Sequence, residues 1–255
     1  MPLEFNLDEE FPYLSKAPIT EAVVQINARA TAEWTRQTIS SALKSEFGGT
    51  IPLQPIETSQ AVFIGSPVGG LEKKSFESSW LGFRIDSAEP PEVISFTRDS
   101  FSFSRLQPYE RWNRFLERAM ALFQTYVRIA NPGDAQRIGL RFINRIEMSA
   151  GLRLDEYFED PPRDPSGLDL PINGFLHQSS FETPGYPYSI SVVSTLQQTA
   201  APLKPPAILL DLDVFTVKAI RLDQEEIKGH LQNMRWLKNK MFFAIITRKL
   251  EQSLV

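Results

Sequence analysis

The chain has 255 residues, 42% of them hydrophobic, and a formal net charge of −4. This length and composition are typical of a folded protein with a substantial core, and the acidic total argues against a sequence-indifferent nucleic-acid binder, so we do not expect nucleic acid as a partner. The sequence has no cysteine, which excludes disulfides, thiolate nucleophiles and cysteine-ligated metals.

The chain begins with an acidic arm over residues 1–17 that lacks the layout of a secretion signal. No apolar run reaches the roughly 20 residues of a membrane helix, so we expect a cytoplasmic protein without a membrane partner. A strand is predicted at 19–29, because its apolar side chains alternate. Thr31 is the predicted cap of a helix that ends at Gly48 and Gly49.

The next segment reads as β structure followed by an amphipathic helix. Strands are predicted at 59–65, 80–86, 92–98 and 101–106. Residues 66–77 are glycine-rich and read as a loop, without the lysine spacing of a phosphate loop. Apolar residues at spacings of three and four predict a helix at 109–129, with Pro108 in its first turn and Phe115 facing inward.

The segment from Arg137 to Glu147 predicts a strand with two contrasting faces. Period 2 places Ile138, Leu140, Phe142, Asn144 and Ile146 on one face, and Arg137, Gly139, Arg141, Ile143 and Arg145 on the other. Because guanidinium groups bind carboxylates and phosphates well, Arg137, Arg141 and Arg145 are candidate anion ligands. The alternative is that they pair with carboxylates on a neighbouring strand. Asn144 is a candidate ligand contact, or a buried amide that fixes the strand register.

Two aspartates on a later strand offer the neighbouring carboxylates. Asp211 and Asp213 share one face of the strand predicted at 207–217. They are either ion-pair partners of the arginines or, as a weaker alternative, part of a site for a hard cation. His177 and His230 are isolated, so no catalytic residue and no cofactor is assigned from the sequence.

The fold class that these elements indicate is α+β, with antiparallel sheets and long helices packed on one face. Residues 1–147 form a first α+β half, 148–173 a Pro/Asp-rich crossover, and 174–255 a second half with strands at 174–182, 187–196 and 207–217 and a helix at 224–250. Each half has several strands followed by a long helix, and one continuous domain is the alternative interpretation. Phe115 and Met241 are predicted to be buried on the inward faces of the helices at 109–129 and 224–250.

Three segments together carry a family resemblance: APITEAV at 17–23, GLRFINR at 139–145 and NKMFFAIIT at 239–247. With them the chain resembles a sporadically distributed prokaryotic family of uncharacterised proteins of similar length. The resemblance covers the whole chain and implies a cytoplasmic bacterial or archaeal protein. It implies no catalytic residue and no mechanism.

The sequence favours a non-enzymatic binding or partner protein over an enzyme. A sheet face or groove would take a small anionic ligand or a protein segment, and uncovered strand edges would allow a homodimer. One alternative is a metal-assisted phosphoesterase that uses Asp211 and Asp213. Another is a component of a defence or toxin–antitoxin module, which the sporadic distribution of the family suggests.

Overall fold

A computed structural model describes the chain over residues 3–49, 51–66, 70–148, 153–163, 170, 172–197 and 206–255, without the side chains of 60–66 and 70–77. Its strands are β1 (Ile19–Asn27), β2 (Gln54–Ser66), β3 (Gly70–Ala88), β4 (Pro91–Thr97), β5 (Phe101–Leu106), β6 (Arg137–Glu147), β7 (Leu176–Glu182), β8 (Tyr188–Gln197) and β9 (Ala207–Thr216). Its helices are α1 (Arg36–Phe47), α2 (Trp112–Ala130), α3 (Gln224–Ile245) and α4 (Arg248–Leu254), with a 3-10 turn at Leu154–Glu156.

Within these residues, nine strands form one sheet in the order β2-β3-β4-β5-β1-β6-β9-β8-β7, and neighbouring strands are antiparallel. The predicted α+β class is therefore confirmed as a mixed structure built on one antiparallel sheet. Because β1 pairs with β5 and β6, and β6 also pairs with β9, the sheet continues across the residues predicted as two halves.

The alternation predicted for β6 determines which of its side chains enter the core. Ile138, Leu140, Phe142 and Ile146 are buried, whereas Arg141 is exposed. The core side of the sheet contacts α2 through aromatic pairs: the ring centroids of Phe101 and Phe123 are 5.6 Å apart, and those of Phe103 and Phe115 are 5.4 Å apart. Tyr126 also donates a hydrogen bond to the carbonyl oxygen of Ala28 at 2.5 Å. Burial of this much apolar surface is the main stabilising term of the fold.

Helix α2 begins later than the sequence predicts. Arg111 is its N-cap residue, so Pro108 lies before the helix and not in its first turn. The helix ends where Asn131 adopts a left-handed conformation, with φ 43°, and donates its backbone N–H to the carbonyl of Val127. The apolar stripe that includes Phe115 is buried as predicted.

The predicted loop at 66–77 is wrong where the structure describes it. Strand β2 extends to Ser66 and β3 begins at Gly70, and the two strands pair antiparallel from Gln54–Arg84 to Ser66–Gly70. Residues 67–69 lie outside the described residues. The error arises because strand pairing uses backbone groups, which a polar, glycine-rich segment offers without any apolar alternation.

The predicted helix at 224–250 is two helices. Helix α3 ends at Ile245, and Ile246 is extended with ψ 147° and 3% exposed. The side chain of Thr247 then accepts a hydrogen bond from the N–H of Leu250 and caps α4. Burial of Ile246 and the new cap explain the break in an otherwise continuous helical pattern.

The crossover predicted at 148–173 lies partly outside the described residues. Its predicted helical turn at 154–158 is the short 3-10 turn, followed by the buried Tyr157 and Phe158. Among the helices that the structure describes, none has the length and hydropathy needed to cross a bilayer.

Candidate ligand-binding cleft

The three arginines of β6 each pair with a carboxylate. Arg137 donates to Asp213 at 2.7 Å, and Arg141 donates to Asp211 at 2.5 Å; both aspartates lie on the neighbouring strand β9. Arg145 donates to Glu147 at 2.5 Å along its own strand. These contacts correspond to the alternative interpretation of the arginine row, in which the arginines pair with carboxylates. The positive charges of the three arginines are therefore partly compensated before any ligand binds.

The two aspartates are the acidic side of these pairs. Burial raises the pKa of Asp213, while the adjacent Arg137 opposes that shift. Across the described residues there is no group of three or more histidine, aspartate and glutamate side chains that could hold a metal ion. The predicted cation site at Asp211 and Asp213 therefore has only the two carboxylates, and each already accepts a hydrogen bond from an arginine.

Asn144 lies on the opposite face of β6 from the arginines, so the structure does not bring it together with them. It is 3% exposed, and its amide group donates a hydrogen bond to the carbonyl of Leu210 on β9 at 3.0 Å. No hydrogen bond to its side-chain oxygen is seen within the described part of the chain. This buried amide borders a cavity on the core side of the sheet.

The cavity has a volume of about 1180 Å³ and lies between the N-terminal arm, the start of α2, β6 and α3. Phe142 and Asn144 line it from β6, and the arm covers it over residues 7–19. The lining from the helical side includes Tyr109, Trp112, Arg235 and Lys238. The lining is mixed, with aromatic rings beside charged and polar side chains, and the volume lies somewhat above the roughly 300–1,000 Å³ of small-molecule sites. We call this cavity the arm-covered cleft.

Two cationic side chains from α3 line the arm-covered cleft next to aromatic rings. The ammonium nitrogen of Lys238 is 4.2 Å from the ring centroid of Phe142, and the guanidinium carbon of Arg235 is 5.4 Å from that of Trp112. Neither cation forms an ion pair with any described residue. Both side chains therefore lie against aromatic faces, and no described carboxylate compensates the positive charge that each carries when protonated.

Burial shifts the pKa of several cleft residues. It lowers the pKa of Lys238 to about 7, and the positive charge of Arg235 adds to that shift. It also lowers the pKa of Arg235 itself, and raises the pKa of the Tyr109 hydroxyl, which stays protonated at neutral pH. No carboxylate contributes to the shift of Lys238, in agreement with the absence of an ion pair there among described residues.

Two of the four acidic side chains that border the cleft form ion pairs with other residues, and two are exposed. Glu9 accepts hydrogen bonds from Lys240 at 2.6 Å and from the indole N–H of Trp236 at 2.9 Å. Glu110 forms an ion pair at 2.6 Å with Arg114, which is not a lining residue of the cavity. Asp8 and Glu10, the other two acids of the lining, are exposed side chains on the arm.

Contacts along the arm hold it over the cleft. Besides Glu9, the ring of Phe5 lies 4.7 Å from that of Trp236, and Phe11 stacks on Phe243 at 5.7 Å. The backbone N–H of Lys16 donates to the carbonyl of Leu254 at 2.9 Å. The arm is thus attached at several points along α3 and α4.

The sequence-based interpretation did not identify Arg235 and Lys238. A usable signal exists in the helical spacing: the two cations are three residues apart beside the inward stripe, and neither has an acidic residue three or four positions away. Such a pair lacks the carboxylates that usually accompany surface cations on a helix. Their juxtaposition with Asn144 and the arm depends on tertiary structure.

Comparison of the chain with protein-family models gives no match, and no curated protein matches it.

Proposed function

We propose that this chain is a non-enzymatic binding protein that takes a small anionic ligand in the arm-covered cleft. The observation that carries the proposal is the presence of Arg235 and Lys238 in one cavity, neither of them ion-paired to any described residue. A ligand carboxylate or phosphate supplies the missing counter-charge, and Arg235 can bind it through two parallel hydrogen bonds.

The character of the cleft walls favours an anion with an apolar or aromatic body. Phe142 is 2% exposed and Trp112 is 7% exposed, and both rings face the cavity. The side-chain oxygen of Asn144 and the hydroxyl of Tyr109 offer further polar contacts at the same walls. Directed polar groups beside aromatic rings favour orientation of a ligand as well as affinity.

The arginine row on the opposite face of the sheet is a weaker location for the ligand. An incoming anion there must compete with Asp211 and Asp213, which already accept hydrogen bonds from Arg141 and Arg137. Repulsion by these carboxylates opposes anion binding. We therefore assign the row a structural role between β6 and β9.

Isothermal titration calorimetry with benzoate and with inorganic phosphate tests the proposal. We expect at least one of them to bind the wild-type chain. Arg235→Gln should weaken binding by about tenfold or more, which is the loss expected for a charge-assisted hydrogen bond. Arg114→Gln is the matched control, because Arg114 lies outside the cavity lining and is 75% exposed.

Two results would contradict the proposed site. One is that neither anion binds the wild-type chain. The other is binding that survives Arg235→Gln but is lost in Arg141→Gln, which would place the ligand on the arginine row.

We also propose that the sheet consists of two similarly ordered halves with the long helices on one face. In support, a first strand (β1 or β6) lies beside the last strand of the following meander (β5 or β9), and a long helix (α2 or α3) comes next in the chain. Contacts of α2 with β5, and of α3 with β9 and β6, support a common helical face. This order would divide the halves just before β6.

The exposed apolar side chains of the β7 edge favour a second copy of this chain as a partner, in a homodimer formed through the β7 edges. Strand β7 is the last strand of the sheet, and it carries Leu176 and Phe181, which are 72% and 47% exposed. Among the described residues β8 is the only strand that pairs with β7, and an edge with large apolar side chains favours pairing with another strand. Native mass spectrometry should show a dimer that Leu176→Lys combined with Phe181→Lys converts to monomer, and a monomeric wild-type chain would exclude it.

A further inference from the structure

We infer that Lys238 forms a reversible imine with the carbonyl group of a small oxo acid bound in the arm-covered cleft, with Arg235 holding the carboxylate of that acid. The inference rests on the proposed function, because it uses the same cleft and the same anion contact. It goes further by naming the ligand class, an α-oxo acid, and a covalent step.

The geometry brings an amine and a carboxylate-binding group to one wall of the cavity. Arg235 and Lys238 are three residues apart on α3, so their side chains leave neighbouring positions on the same helical surface. Lys238 lies over Phe142 of β6, and Arg235 lies over Trp112 of α2. In an α-oxo acid the carbonyl carbon is bonded directly to the carboxylate, so one small molecule can meet both groups.

The amine needs its lone pair for this reaction. Burial lowers the pKa of Lys238 to about 7, so a substantial fraction of the side chain is uncharged at neutral pH. Arg235 favours the neutral amine by charge repulsion, while the face of Phe142 favours the ammonium. The other charged or titratable cavity groups are Asp8, Glu9, Glu10, Tyr13 and Lys16 on the arm, and Tyr109, Glu110 and Arg111 before α2.

The step is a condensation without any redox change. The lone pair of the Lys238 nitrogen attacks the carbonyl carbon and forms a C–N bond as the carbonyl π bond opens, and one proton passes from the nitrogen to the oxygen to give a neutral carbinolamine. Loss of this hydroxyl with one further proton releases water and leaves a protonated C=N bond to Lys238. Addition of water reverses the sequence, so the capture is reversible.

The other lysine of the helical wall provides an internal comparison. Lys240 is two residues further along α3, but its ammonium is paired with Glu9 at 2.6 Å and its side chain is 48% exposed. An amine held in an ion pair with a carboxylate is a poorer nucleophile than one without such a partner. The structure therefore distinguishes Lys238 from Lys240 by the surroundings of the amine and not by accessibility alone.

Reductive trapping of the full chain tests the inference, with pyruvate as the smallest α-oxo acid and sodium cyanoborohydride as the reductant. Intact mass spectrometry and peptide mapping should find one pyruvate adduct, located at Lys238. Lys238→Arg should abolish that adduct, whereas Lys240→Arg should keep it. Arg235→Gln should slow the trapping by about tenfold, as expected for loss of a charge-assisted contact.

Lactate separates imine formation from anion binding, because it has the carboxylate but no carbonyl group. It should leave no adduct of its own and should slow the trapping of pyruvate. Lys238→Arg retains a cation, so it should still bind benzoate or phosphate while losing the adduct. Absence of a Lys238 adduct, or labelling spread equally over the surface lysines, would overturn the imine. If anion binding persists in that case, the proposed function stands, whereas loss of all anion binding would remove both.

Discussion

The carboxylate of Asp211 accepts two hydrogen bonds from the guanidinium of Arg141, at 2.8 and 2.5 Å. The pair joins β6 to β9 across the face of the sheet opposite Asn144. The hydrogen bond to Asp211 raises the pKa of Arg141, and the nearby Asp213 adds to that shift. The most distinctive row of cations in the sequence is therefore part of the strand pairing.

A double-mutant cycle measures this pair. Arg141 is 48% exposed and Asp211 is 19% exposed, so solvent screens their attraction. We expect Arg141→Ala and Asp211→Ala to show a coupling free energy of about 0.5–1 kcal/mol in denaturant titrations, decreasing at high salt. A coupling that is zero at low salt would contradict a stabilising role for the pair.

Local sequence patterns predict the elements whose burial alternates with a single period. The bounds predicted for β5 and β6 are those of the structure, because Phe101 and Phe103, like Leu140 and Phe142, alternate with polar residues. The strands predicted at 59–65 and 80–86 lie within β2 and β3, but the extension of both strands into the predicted loop does not follow from the sequence, because backbone pairing carries that segment without alternation. The arm-covered cleft was missed because Asn144 and Lys238 are far apart in the chain and meet only when α3 packs on β6.

Glu92 is the most deeply buried charged side chain among the described residues. It is 1% exposed and accepts hydrogen bonds from Arg105 at 2.5 Å and from Arg118 of α2 at 3.1 Å. Glu92→Ala should destabilise the chain by about 3–5 kcal/mol, because it leaves Arg105 buried without its counter-ion. Glu110→Ala, which breaks an exposed pair with Arg114, should cost less than about 1 kcal/mol in the same denaturant titration.

We expect the contact between His230 of α3 and Tyr188 of β8 to be sensitive to acid. The hydroxyl of Tyr188 lies 2.6 Å from Nδ1 of His230 and accepts a hydrogen bond from the amide of Asn233 at 3.0 Å; in the neutral tautomer with Nδ1 unprotonated, the hydroxyl donates to that nitrogen. Burial lowers the pKa of His230, and Glu226 partly opposes this. The unfolded state therefore takes up the proton first as the pH falls, and stability decreases through and below the ordinary histidine range.

His230→Gln should flatten that part of the pH dependence, because glutamine offers an acceptor but does not titrate there. His177→Gln is the matched control, since His177 is exposed and is the other of the two histidines in the sequence. Thermal unfolding of the three proteins between pH 5 and 8 measures the effect. Equal pH dependence for the wild-type chain and His230→Gln would contradict the assignment.

The two side chains chosen from the sequence as buried differ in the structure. Phe115 is 2% exposed, and Phe115→Ala should cost about 3–5 kcal/mol. Met241 is only partly buried where the two core clusters meet, so Met241→Ala should cost about 2 kcal/mol or less. Its neighbour Phe242 is 5% exposed, and Phe242→Ala should resemble Phe115→Ala. A denaturant titration in which Met241→Ala loses more free energy of unfolding than Phe242→Ala would contradict this view of α3.

Glu9 is the residue through which closure of the arm over the cleft can be altered. The hydrogen bond from Lys240 lowers the pKa of Glu9, so the carboxylate persists to lower pH than in the unfolded chain and its contribution is lost only as the pH falls through that lowered pKa. Glu9→Gln should speed hydrogen exchange at the Glu9 and Lys16 backbone amides, which donate to Asn6 and Leu254. Glu10→Gln, a change in the adjacent exposed side chain, should not. Because the arm lies over the cavity that holds Lys238, Glu9→Gln should also speed both entry and release of benzoate. Unchanged exchange in Glu9→Gln would show that the aromatic contacts of Phe5 and Phe11 are sufficient to hold the arm.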